Sequence, residues 1–132
     1  MDIYKKKYSR KDVEEKAGSI SQIGGTRHYK LEEGFARGTR GIDVNTGSGF
    51  SFTVLPDRGL DISRASYKGI NLAYLSPNGE VNPAFYSPVK DEWLRTFFAG
   101  LLTTCGLTWI GPPCTDGDEE LGLHGRYSNT PV

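Results

Sequence analysis

A chain of 132 residues with 16 basic and 16 acidic side chains has no net charge, which excludes partners held by charge alone, nucleic acid foremost. It is long enough for one modest core, and no apolar run approaches the roughly 18 residues that would cross a bilayer. The opening MDIYKKKYSRK has no apolar stretch of the signal-peptide kind, so a soluble, cytoplasmic protein without a membrane partner is expected.

In chain order, the run Lys5, Lys6, Lys7 is offset at once by Asp12, Glu14 and Glu15 and reads as a solvated terminus. Ser9, with Asp12 three residues on, predicts a short capped helix over 9–17, and Gly18 suits the left-handed position beyond it. Seventeen glycines and seven prolines, spread without a period, then read as turns between many short strands. Strands are predicted at 20–23, 27–31, 36–44, 50–55, 60–66 and 70–75, with Phe50, Phe52 and Val54 sharing a face. Asn45 to Gly49 has hairpin chemistry. No helix of crossover length separates these strands, which favours an antiparallel sheet.

Pro77, Pro83 and Pro88 make 76–90 a loop, because each denies a ladder hydrogen bond. One or two helical turns are predicted over 91–99, with Trp93 and Phe97 on one side. A buried strand holding Cys105 is predicted over 101–105. The acidic stretch 116–120 reads as a solvated turn, since it lacks the alternating oxygen ligands of a calcium loop. Two cysteines, Cys105 and Cys114, are too few for a disulfide framework and read as reduced thiols.

Three constellations could carry chemistry. In Leu55-Pro56-Asp57-Arg58-Gly59-Leu60-Asp61, two carboxylates flank a guanidinium at a glycine-bearing turn. It is either an ion pair stapling a corner between strands, or a place where Arg58 and an acid meet a hydroxyl-rich ligand. Gly100 to Leu107 reads as core packing between glycines, and Cys105 has no base near it in sequence to make it a nucleophile. In Leu121-Gly122-Leu123-His124-Gly125-Arg126, an extended backbone would point His124 and Arg126 to one face, where both could hydrogen-bond a neutral polyol. His28, on a polar strand, reads as structural. Two histidines far apart, neither in a ligand-spaced motif, give no metal site, and no cofactor is indicated.

Taken in order, Gly18-Ser19-Ile20-Ser21-Gln22, Leu55 to Asp61, Phe97 to Leu107 and Leu123-His124-Gly125-Arg126 resemble an uncharacterised branch of the aldose 1-epimerase-like proteins, in the galactose mutarotase-like superfamily. Pro131-Val132 departs from the Pro-Ala expected there. The resemblance implies an all-β fold, an antiparallel β-sandwich of the supersandwich type with a sugar pocket on a concave face. It divides the chain into a segment 1–18 with the short helix and a partial sandwich domain 19–132. It implies an isomerase that interconverts the anomers of a free aldose by general acid–base ring opening, or a non-catalytic carbohydrate-binding module on the same face. The partner is then a monosaccharide or sugar derivative. His124 matches the family's early substrate-holding histidine. His124 and Arg126 are the first candidates for substrate binding, Arg58 and Asp57 the next, and His124 is an open candidate for proton donation. The family's main acid and base fall later than residue 132, and a polar constellation so near that residue suggests a truncated, inactive portion. A half-built sandwich would leave apolar faces and strand edges open, favouring association, a homodimer included.

Overall fold

The computed structural model describes residues 2–3, 6–107 and 109–132. A small antiparallel pair, β1 (Asp2–Ile3) and β2 (Lys6–Lys7), precedes helix α1 (Arg10–Lys16). Lys6 and Lys7 are exposed, as a solvated terminus requires, and Lys5 lies outside the described residues. The helix begins where the sequence places it. The Ser9 hydroxyl accepts from the Asp12 amide at 3.1 Å, and the Asp12 carboxylate accepts from the Ser9 amide at 2.8 Å. This reciprocal cap satisfies two of the amides that a helix start leaves unpaired. The helix ends at Ala17 in extended backbone rather than on a left-handed Gly18, and it buries only Val13.

Five strands follow in one antiparallel sheet whose spatial order is the chain order: β3 (Gly25–Lys30), β4 (Arg40–Asn45), β5 (Phe50–Leu55), β6 (Asp61–Tyr67) and β7 (Ile70–Asn71). The β4–β5 connection is the predicted hairpin, with Gly47 and Gly49 left-handed and the Asn45 side chain accepting from the Gly47 amide at 2.9 Å. Val44 faces Phe52 and Asp43 faces Thr53, so polar and apolar pairs alternate across the strands. Between β5 and β6 the register shifts at Phe52/Val54, a bulge that adds local twist. A second sheet pairs β8 (Tyr74–Leu75) with β9 (Ala99–Gly100), and β10 (Cys114–Asp116) pairs with β11 (Glu119–Leu121). With one short α-helix among the described residues and all named strands paired antiparallel, the architecture is the all-β one expected.

Four local expectations are corrected. Residues 20–22 form a 3-10 turn instead of a strand, because the Ser19 hydroxyl accepts from the Ser21 amide and supplies a local alternative to a ladder. The strand expected from residue 36 starts only at Arg40, after a 3-10 turn at Gly34–Ala36 and a left-handed Gly38. The strand expected over 70–75 is split between two sheets. The Asn71 side chain donates to the Ala73 carbonyl and accepts from its amide, closing a turn between β7 and β8. Residues 101–105 are not a buried strand: Leu101, Leu102 and Cys105 are exposed, and only a single bridge joins Leu102 to Ile62. Ala99 and Gly100 are both left-handed, and the chain keeps to β6 only as far as Leu102, whose carbonyl accepts from the Ile62 amide at 2.9 Å.

The interior is partly polar. Leu55 and Phe98 are completely buried, but so are Arg58, Asp61, Thr39, Ser63, Thr96 and Ser128. It lies where the β5–β6 corner meets the loops carrying Val81, Trp93 to Phe98 and Ser128. That junction also supports the candidate site.

Candidate functional site

The segment after β11 does not run extended. His124 and Gly125 both take left-handed backbone, with φ of 57° and 74°. A non-glycine residue in that region is costly and persists only where its surroundings over-determine it. They do so here. The Leu123 amide donates to the Lys90 carbonyl, the His124 amide to the Gly111 carbonyl, and the Gly106 amide to the His124 carbonyl, each within 3.0 Å. Gly106 and Gly125 form a parallel bridge, and the Tyr86 hydroxyl donates to the Gly125 carbonyl at 3.2 Å. Lys90 and Leu107, two more left-handed non-glycine residues, lie in the same group of loops.

This backbone holds the His124 ring in one orientation. Nδ1 lies 3.0 Å from the Ile110 carbonyl oxygen. A carbonyl can only accept, so Nδ1 carries the proton and the neutral ring leaves its lone pair on Nε2. The ring meets Trp93 edge-to-face at 4.9 Å, and Trp93 stacks on Phe97, also at 4.9 Å. Trp93 and Phe97 thus share a side, as their spacing predicts. The contact of Trp93 with His124, some thirty residues on, has no signal in sequence.

Arg126 pairs with Glu119 at 2.6 Å. With two consecutive left-handed residues the backbone here is not extended, so the alternation that would put both side chains on one face does not apply. The Arg126–Glu119 pair is exposed, and such pairs add little stability, so Arg126 can exchange its partner cheaply. Tyr86, the phenol beside this segment, is pushed up by burial, with the nearby Arg126 charge working against the shift. Tyr86, Trp93 and the carbonyls of Ile110 and Gly111 are the parts of the site that sequence spacing missed.

The β5–β6 corner carries Arg58 and Asp57, the next candidates for sugar contact. Its residues point in opposite directions. Asp57 turns outward and accepts from the Arg40 amide at 2.6 Å and from Arg40 Nε at 2.7 Å. Partial burial pushes its carboxyl up, but the hydrogen bonds and charge of Arg40 outweigh that and hold it below its ordinary value. Arg58 turns inward. Its Nε donates to the Ser128 carbonyl at 2.7 Å, Nη1 to the carbonyls of Val81 and Thr96 at 3.0 Å, and Nη2 to the Ser128 hydroxyl at 3.3 Å. Fully buried and with its donors engaged, Arg58 holds four segments together and is closed to a ligand. The physical reason is the 3-10 turn Pro56–Arg58, in which successive side chains point about 120° apart at three residues per turn.

Asp61 completes this interior group. Its Oδ1 accepts from both the amide and the hydroxyl of Thr104 at 2.6 Å, while Oδ2 lies 3.8 Å from Arg58 Nη2. Burial pushes Asp61 up to about 6, against the opposing pull of the Thr104 bonds and Arg58. Burial likewise lowers Arg58 to about 10, against the pull of Asp61. The folded state therefore binds the Asp61 proton more tightly than the unfolded chain does. The stability this contributes is fully present below about pH 4 and is lost as pH rises through about 6. Through this group the chain is expected to melt at a higher temperature at pH 5 than at pH 7, and Asp61→Asn to flatten that part of the profile, read by circular dichroism.

Among the described residues, no helix is long and apolar enough to cross a membrane. The family model described as a domain of unknown function, DUF4432, matches residues 36–132, which is most of the chain. A search of the curated proteins found no match. Among solved structures the chain is similar to a crystal structure of a presumptive aldose 1-epimerase from Klebsiella pneumoniae subsp. pneumoniae MGH 78578. The identity is 27% and the TM-score 0.72, over 85% of this chain and 32% of that one. The chain thus spans about a third of the length of that protein. The chain belongs to the family of the domain of unknown function DUF4432, and its all-β fold is that of an aldose 1-epimerase-like protein.

Proposed function

We propose that this chain is the sugar-contacting portion of an aldose 1-epimerase-like isomerase, with a monosaccharide or sugar derivative as its ligand. The observation that carries the reading is the state of His124. Strained backbone and the bond to the Ile110 carbonyl hold its ring so that Nε2 is left to meet a hydroxyl. As the neutral ring it accepts from a sugar hydroxyl, and as imidazolium it donates to one. Arg126, two residues on and held through its exposed pair with Glu119, is the second candidate to donate to a sugar hydroxyl. Mutarotation needs a proton delivered to the ring oxygen while another leaves the anomeric hydroxyl, so that the bond from carbon 1 to the ring oxygen breaks and re-forms on either face. In this reading His124 orients the sugar. The exposed free thiols Cys105 and Cys114 fit a reducing compartment, which supports a cytoplasmic setting.

The test is an NMR titration with a free aldose such as D-galactose. His124→Ala is expected to weaken binding about 2- to 10-fold, the loss of one neutral hydrogen bond of about 0.5–1.5 kcal/mol. An unchanged affinity would remove His124 from the site. Accelerated exchange between the anomer resonances supports the isomerase. Shifted resonances without acceleration would instead mark a non-catalytic carbohydrate-binding module.

A further inference from the structure

Two hydrogen-bonded routes lead from the buried end of the β5–β6 corner to His124. The first starts at Asp61, whose Oδ1 takes the amide and hydroxyl of Thr104 at 2.6 Å. Two residues further on, the Gly106 amide donates to the His124 carbonyl at 2.9 Å, and Gly106 bridges Gly125. The second starts at Arg58, which donates to the Thr96 carbonyl at 3.0 Å. The Thr96 amide and hydroxyl both donate to the Trp93 carbonyl at 3.1 Å, and the Trp93 ring is the wall against which His124 packs. One route sets the backbone of His124 and the other sets its ring.

A corner staple alone would not be built this way. It would bring the guanidinium and carboxylate into direct, bidentate contact. Instead Arg58 and Asp61 stand 3.8 Å apart with side chains fully buried. Arg58 donates to three carbonyls and a hydroxyl, and Asp61 directs one oxygen entirely to Thr104. The carboxylate is committed to the loop that holds His124.

We infer that Asp61 is a positioning residue for the sugar site, setting His124 through Thr104 and Gly106, with Arg58 holding the Trp93 wall from the other side. The inference rests on the sugar-binding reading for its purpose, and its structural half can be measured without any ligand. His28 and His124 are the two histidines of the chain, and His28 is exposed on β3, so it serves as an internal reference. Long-range proton–nitrogen correlations of the 15N-labelled chain are expected to show His124 as a single tautomer protonated at Nδ1. In Asp61→Ala the His124 pattern should move to a tautomer mixture like that of a free imidazole, with His28 unmoved. The Kd for D-galactose should rise about as far as in His124→Ala. Asp61→Asn, which keeps an oxygen acceptor for Thr104, should restore both readings in large part. A folded Asp61→Ala chain with unaltered His124 correlations overturns the inference. Should Asp61→Ala fail to fold, Thr104→Ala takes its place, and there too an unmoved His124 pattern overturns it. If His124 responds as expected but neither the chain nor its variants bind the sugar, the positioning stands and the sugar reading falls.

Discussion

Replacing Arg58 by methionine is expected to destabilise the chain by about 3–5 kcal/mol, the range found when one member of a buried ion pair is removed. Methionine keeps much of the side-chain volume, so the loss measures the guanidinium and not a cavity. Without it, the carbonyls of Val81, Thr96 and Ser128 lose a donor inside the protein, and Asp61 is left as a buried charge with no cation beside it. Each buried acceptor left unsatisfied costs about 1–3 kcal/mol. The guanidinium also sits over the Phe98 ring, 5.2 Å from its centre, a contact that methionine replaces only in part. Arg58→Lys should recover little, because a single ammonium cannot serve acceptors spread around a planar fork. Urea unfolding followed by tryptophan fluorescence reads the effect. A shift in the midpoint below what 1 kcal/mol would produce would mean that these carbonyls find water instead.

Gly59→Ala is expected to be comparably damaging, for two reasons that can be separated. Gly59 has φ of 56°, which costs an alanine about 1–2 kcal/mol by itself. A methyl group there would also lie 2.5 Å from the Tyr127 carbonyl oxygen and 2.8 Å from the Thr104 hydroxyl. Backbone cannot move aside cheaply, so the β5–β6 corner must part from the 127–130 segment, whose Thr130 carbonyl accepts from the Gly59 amide at 2.9 Å. Gly69 supplies the control. It is also left-handed, at φ 83°, but its added methyl meets nothing within 4 Å. Gly69→Ala should therefore cost only the backbone term, and the difference between the two variants in the same unfolding assay isolates the clash. Equal losses would show that the corner does not need its close approach to Tyr127.

Asp57 and Arg58 show where reading the sequence stops. Their spacing announces a turn with charges on it, and the turn is there. Which charge goes inward depends on partners 23 to 70 residues away, and no local pattern carries that information. The same holds for His124. Glycines on both sides of Leu123-His124 signal an unusual backbone, yet the alternation rule for extended chains points its side chain toward the side of Arg126. The Lys90, Gly106 and Gly111 contacts hold left-handed geometry there, to which that rule does not apply.

The sequence by itself determined what depends on neighbours a few residues apart: the Ser9–Asp12 cap, the Asn45–Gly49 hairpin, the Phe50–Leu55 strand, the Trp93–Phe97 stack and an antiparallel all-β class. Each rests on a backbone preference or a side-chain bond that forms within one turn or one hairpin. Only the tertiary structure decided that Leu101, Leu102 and Cys105 would be exposed, that Arg58 would be closed to solvent, and that Trp93 would meet His124. Those outcomes follow from desolvation and from the pairing of polar groups that approach only after the loops have closed. A buried carboxylate or guanidinium must find partners wherever the fold provides them, and their distance along the chain is free to be large.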